Sequence, residues 1–173
     1  MDHASPKPFT RAQIAFHWAT ALLVVLMAVT GMMYFLEIAD GAAIRAHQVA
    51  GQVLIVILAA RLIVKLRAPA RGASDHAVWE KALAGAVQVA LYFALITAAV
   101  TGYVSASAFA NSALLLPVDI GFARSDAGAR FLTVHYAMKW VFLGLVGLHV
   151  AGALKHHFID RDATLRHMVS SQE

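Results

Sequence analysis

Residues Phe131–Phe158 read FLTVHYAMKWVFLGLVGLHVAGALKHHF. As a helix, this run is long enough to cross about 30 Å of hydrocarbon. Its apolar positions do not alternate, and it is too long for a barrel strand of about 9–11 residues. Only helices and closed barrels satisfy their backbone groups inside a bilayer, so the run reads as a membrane helix. Two histidines, His135 and His149, stand fourteen residues apart in it. Fourteen helical residues rise about 21 Å and fall about 40° short of four full turns. The two imidazoles therefore share one helix face at opposite depths of the membrane.

Three more runs of the same kind precede it, at about Ile14–Leu36, Arg45–Leu66 and Lys81–Ala108, with Val53–Ala60 the fully apolar centre of the second. The 173 residues are 60% hydrophobic and 14% charged, with a mean hydropathy of +0.68. Soluble domains are about 45–50% apolar and about 25% charged. This composition excludes a disordered chain, a basic nucleic-acid-binding domain and an ordinary soluble enzyme. It predicts an all-α integral membrane protein, a four-helix bundle forming one transmembrane domain over residues 1–173. No small-x-small cleavage pattern follows the first run cleanly, so it reads as a span and not as a signal peptide. The links are Glu37–Ile44 with Asp40-Gly41, Arg67–Glu80 with Pro69, Gly72 and Ser74-Asp75, and Asn111–Arg130. Within the last, the apolar patch Ala113–Val118 is expected to be an interfacial or short re-entrant piece. No internal repeat or second domain is visible.

Charge predicts the orientation. With the N-terminus inside, ten cations are internal: Lys7, Arg11, Arg61, Lys65, Arg67, Arg71, Lys81, Lys155, Arg161 and Arg166. Four are external: Arg45, Arg124, Arg130 and Lys139. This bias favours both termini in the cytoplasm. The net charge of +4 then records topology and requires no acidic or nucleic-acid partner.

The chain has no cysteine and nine histidines. The first count excludes disulfides, thiolate metal sites, iron–sulfur clusters and thioether-attached haem. The second is unusual, because histidine is costly inside a bilayer without a partner. His47 and His135 fall at the outer level of the membrane, His17 and His149 at the inner level. A pair of imidazoles facing each other across a bundle provides the axial ligands of a haem iron. A lone intramembrane histidine reads equally well as a packing residue or a proton relay. A zinc or copper site would gather its ligands at one depth, whereas these separate into two levels.

Further residues follow the same arithmetic. Arg61 lies fourteen after His47, on that face at the inner level, and a guanidinium suits a haem propionate. Propionate binding is favoured over the alternative, snorkelling to the inner surface. His156, seven after His149, is a propionate or quinone candidate, or an interfacial residue; His157 is turned further away. Lys139, one turn after His135, forms with Arg45, Arg124 and Arg130 a positive outer patch, or contacts lipid headgroups. Gly31, Gly51, Gly144, Gly147 and Gly152 lie near the histidine levels, where a missing side chain admits a porphyrin face or a neighbouring helix. His3, His76 and His167 read as bystanders.

These residues resemble the bacterial cytochrome b561 family of di-haem inner-membrane proteins. The motifs are Arg11-Ala-Gln13-Ile14-Ala-Phe-His17-Trp18, His47-Gln-Val-Ala-Gly51, Ala60-Arg61-Leu62, and Gly147-Leu148-His149 followed by His156-His157-Phe158. The tail Asp160-Arg-Asp162-Ala-Thr164-Leu165 also matches, and the resemblance covers nearly the whole chain. It departs at Ala99, where members often carry a proline three residues before the glycine of the third helix. The resemblance implies two non-covalent haem b groups, one ligated by His17 with His149 and one by His47 with His135. It also implies a multi-pass location in the bacterial inner membrane and electron exchange with ubiquinone. Superoxide oxidation at the periplasmic face, as a superoxide:ubiquinone oxidoreductase, is the leading expectation. The alternative is an electron-transfer subunit for a partner dehydrogenase, hydrogenase or periplasmic redox protein, with no catalysis of its own.

Overall fold

The computed structural model describes residues 9–67, 77–109 and 112–169. Among them are four helices long and apolar enough to cross a membrane: α1 (Arg11–Phe35), α2 (Gly41–Arg67), α3 (Val78–Ala106) and α5 (Asp126–Phe158). Two short helices complete the set, α4 (Ile120–Arg124) before α5 and α6 (Thr164–Val169) after it. Pro69, Gly72, Ser74-Asp75, Lys7, Arg71, Asn111, His3 and His76 lie outside the described residues.

Local chemistry sets the helix ends. Thr10 and Gln13 form a reciprocal capping box at the start of α1, each side chain accepting from the other's backbone N–H. At its end, Glu37 N–H donates to the Tyr34 carbonyl and Ile38 N–H to that of Met33. This is a Schellman closure. It places Glu37 at φ 58°, a left-handed conformation that glycine usually fills. Asp40 Oδ1 accepts from Ala42 N–H where α2 begins. Ser125 caps α5, which starts at Asp126 and so extends beyond the apolar run that marks it in sequence.

α1 packs along α2 and α3 along α5, with α2 and α3 meeting over a smaller area. The interior between these helices is thinly filled. Leu54 is the one large side chain that is fully buried among the described residues. Most leucines, valines and phenylalanines face outward, as expected where lipid replaces water as the neighbour. Buried hydroxyls are satisfied within their own helices: Thr20, Thr30, Thr101 and Ser105 each bond to the carbonyl four residues back. Such small polar residues let membrane helices approach closely.

Outer and inner denote the two ends of the bundle as the charge bias assigns them. At the outer end the Ala113–Val118 patch is irregular chain, not a re-entrant helix. Two glutamines one turn apart on α2 hold it. Gln48 accepts from Ala113 N–H at 2.8 Å. Gln52 donates to the Ala113 carbonyl and accepts from Leu115 N–H, both at 2.9 Å. Tyr103 donates to the Leu116 carbonyl, and Ser107 Oγ accepts from Val118 N–H. With its backbone groups so occupied, the segment has no need of helical hydrogen bonds. Leu115 and Leu116 point outward, and Leu114 lines the interior.

Candidate functional site

The outer site is built from α2 and α5, each seated on a neighbouring helix. The rings of His47 and His135 have centroids 6.1 Å apart at an interplanar angle of 83°. His47 Nδ1 lies 2.9 Å from the Met27 carbonyl on α1, and His135 Nδ1 lies 2.8 Å from the Ala98 carbonyl on α3. A carbonyl only accepts, so each Nδ1 carries the ring proton and each Nε2 keeps its lone pair. Both rings also lie on a glycine. A Cβ at Gly31 would stand 2.9 Å from His47 Cε1, and one at Gly102 would stand 2.8 Å from His135 Cε1. The same local device thus appears twice: a glycine four residues after the accepting carbonyl.

The inner site joins α1 and α5. His17 and His149 have ring centroids 6.2 Å apart and planes tilted by 57°. Arg61 reaches this level from α2, with Nη2 3.1 Å from His17 Nδ1. Its guanidinium lies 5.6 Å from the centre of the Tyr92 ring, and Lys65 Nζ lies 4.8 Å from the same ring. Lys65 also donates to Gln88 Oε1 at 2.7 Å. Trp18 meets His17 edge-on and donates to the Met168 carbonyl, which ties α6 to α1.

This donor set fits a haem iron. A metal–imidazole bond of about 2.0 Å plus about 1.1 Å from nitrogen to ring centre, taken on both sides, gives a centroid separation of about 6.2 Å. Both pairs match it. The cavity at the outer pair is about 780 Å³, is bordered by all four long helices and is mostly apolar. Its lining includes Lys139 and Arg45 but no carboxylate. Lys139 Nζ is buried without a hydrogen-bond partner, 3.4 Å from the centre of the Phe35 ring and 4.6 Å from that of Trp140. A carboxylate on a bound macrocycle would satisfy it. Gly144 and Gly147, between the two levels on α5, border open space. Zinc, by contrast, takes four ligands at one point, and each level presents two histidines.

His156 goes elsewhere. Its Nδ1 lies 3.1 Å from Asp160 Oδ2 and 2.9 Å from Asp162 Oδ2. Lys155 bridges Asp160 and Glu80 at 2.8 Å each. Hydrogen bonding from Lys155 holds the Asp160 carboxyl below its ordinary range. Burial pushes Asp162 upward, but hydrogen bonds from Thr164 and the nearby His156 outweigh it, and its carboxyl is also lowered. Sequence reasoning missed this cluster and the polar group of Lys65, Gln88 and Tyr92. Of the two sequence readings of Gly31, room for a porphyrin or for a neighbouring helix, the second holds: it seats the imidazole of His47 from α2. The seat at Gly102 lies in another helix from His135, so helix spacing carries no signal of it.

A family model described as prokaryotic cytochrome b561 matches residues 8–171. The chain is 30% identical over 174 aligned positions to cytochrome b561 homolog 2 of Escherichia coli strain K12, covering 95% of this chain and 93% of that protein. It is 25% identical over 179 positions to cytochrome b561 homolog 1 of the same strain, covering 93% and 96%. No solved structure matches the chain significantly.

Proposed function

The chain belongs to the prokaryotic cytochrome b561 family, membrane electron carriers with haem b, and from that premise we propose a di-haem superoxide:ubiquinone oxidoreductase. His47 and His135 hold the outer haem; His17 and His149 hold the inner one. The observation that carries this reading is the pair of ring separations, 6.1 and 6.2 Å, each suited to one iron. When bound, haem b supplies one-electron chemistry at iron, and the protein contributes ligation, orientation and exclusion of water.

The outer residues suit an anionic electron donor. Lys139 and Arg45 bring two cationic side chains into the lining of the outer cavity, and where one pairs with a haem carboxylate the other still contributes a positive field. Such a field raises the encounter rate of an anion such as superoxide. At the inner end, His156 lies within 3.1 Å of the Asp160 and Asp162 carboxylates.

Stopped-flow mixing of the oxidised protein with superoxide tests the reading. Haem reduction faster than spontaneous dismutation is expected, and Lys139→Gln should slow it severalfold and weaken its dependence on salt. Reduction no faster than dismutation would remove superoxide as donor. The chain would then carry electrons for a protein partner, which copurification would reveal.

A further inference from the structure

Each histidine pair joins two helices that are not packed closely on each other. α1 packs on α2 and α5 on α3, whereas the inner pair spans α1 and α5 and the outer pair spans α2 and α5. Direct helix packing therefore sets neither gap. The gaps are nonetheless nearly equal, with ring centroids 6.2 and 6.1 Å apart.

α5 carries the second histidine of both pairs. The chain at each of its ends turns back on it, so that α4 and α6 both pack against α5. Each flanking segment is held by the residue that directly follows the opposite histidine. At the outer end Gln48 Oε1, next to His47, accepts from Ala113 N–H at 2.8 Å. At the inner end Trp18 Nε1, next to His17, donates to the Met168 carbonyl at 2.6 Å. Consecutive side chains of a helix diverge by about 100°. A histidine that faces its partner thus leaves the next side chain directed sideways, toward chain coming around from the partner's helix. The inner segment is itself firmly placed. Asp162 N–H donates to the His156 carbonyl at 3.0 Å, and Lys155 ties Asp160 to Glu80 on α3. Leu165 and Met168, three apart on α6, are half-buried.

We infer that Trp18 and Gln48 are positioning residues. Each clamps a flanking segment of α5 to the helix that carries the opposite histidine, and so fixes the gap across its pair. His17-Trp18 and His47-Gln48 are one two-part unit used twice: the first side chain faces the partner ring and the second holds the partner's chain. The consequence for cofactor binding rests on the di-haem reading above; the consequence for helix spacing does not.

The chain has no cysteine, so introduced cysteine pairs carry spin labels at chosen positions only. Ala15→Cys with Leu154→Cys reads the inner ends of α1 and α5, and Ala46→Cys with Ala137→Cys reads the outer ends of α2 and α5; all four positions are exposed. The full-length protein, purified with its haem in lipid nanodiscs, is measured by pulsed dipolar spectroscopy. Trp18→Phe keeps an aromatic ring and removes the donor. It should broaden the inner distance and leave the outer one unchanged. Gln48→Ala should do the reverse, and Gln48→Glu, which keeps an acceptor, should restore the wild-type width. Transfer of haem to apomyoglobin should divide in the same way. It should be about fivefold faster from the inner site in Trp18→Phe and from the outer site in Gln48→Ala, the weight of one hydrogen bond. Unchanged distances in both variants, or broadening at both ends in either, overturn the clamps. Broadened distances with unchanged haem transfer overturn their positioning role. Fewer than two haems in the wild type overturns the di-haem reading, and the label distances still decide the clamps.

Discussion

Gly102 lies directly beneath the imidazole of His135: a Cβ built there would stand 2.8 Å from Cε1. The ring is fixed from below by this contact and at its edge by the Ala98 carbonyl. The helix that presents the histidine thus differs from the helix that orients it, and α3 helps set the geometry of a pair whose two histidines come from α2 and α5.

Substituting Gly102→Ala should therefore displace the ring without altering any ligand. Overpacking of this kind costs about 1–3 kcal/mol. The outer haem is expected to bind about tenfold or more weakly, with a shifted absorption band, while the inner haem is retained. Gly31→Ala should act alike through His47, because its Cβ would stand 2.9 Å from that ring. Haem titration of the two variants checks this; unchanged affinity in both would mean that the rings relax at no cost.

Removing ligands should separate the two levels. His47→Ala or His135→Ala is expected to abolish the outer haem, and His17→Ala or His149→Ala the inner one, each halving the haem-to-protein ratio. Quantifying haem against protein in each purified variant gives the answer. Loss of both haems from every variant would instead indicate that the bundle does not form without a full cofactor set.

Much of this arrangement was legible before the fold. The four spans follow from bilayer thickness, and the histidine levels from the fourteen-residue spacing in α5. Arg61 reaches the level of His17, as its own fourteen-residue offset from His47 requires. What escaped depends on pairings between distant segments. Gln48 and Ala113 are 65 positions apart, and nothing near either one announces the contact. The start of α5 escaped for another reason: Ser125 and Asp126 set it through capping, while the hydropathy pattern begins only at Phe131. His156 was placed correctly on its helix, yet the Asp160 and Asp162 carboxylates bind its ring in a chain reversal that helical periodicity does not describe.

That reversal should respond to acid. Asp160 and Asp162 are both held below the ordinary carboxylate range. Carboxylates with depressed folded values contribute stability above their unfolded pKa, and lose it as pH falls through the folded value. The tail should stay docked at neutral pH and at pH 5, and loosen only below about pH 4. Trp18 reports on it, because its indole donates to the Met168 carbonyl in α6. A change in Trp18 emission below that pH is expected, and Asp160→Asn with Asp162→Asn should produce the change at neutral pH.

Gln52 holds the outer segment over the cavity that contains His47 and His135. Its amide donates to the Ala113 carbonyl and accepts from Leu115 N–H, while Gln48 takes the remaining Ala113 N–H. Replacing Gln52 with alanine removes two of these three bonds, each worth about 0.5–1.5 kcal/mol. It also leaves the Ala113 carbonyl without its side-chain partner. Leu114, which lines the cavity, sits between the two anchored residues and moves with them. The outer cavity should therefore open more often in Gln52→Ala, and a small anionic reductant such as dithionite should reduce the outer haem severalfold faster. The inner haem, at the other histidine level, should keep its rate of direct reduction. Equal acceleration at both haems would point to general loosening of the bundle, and no acceleration would show that the segment does not limit access.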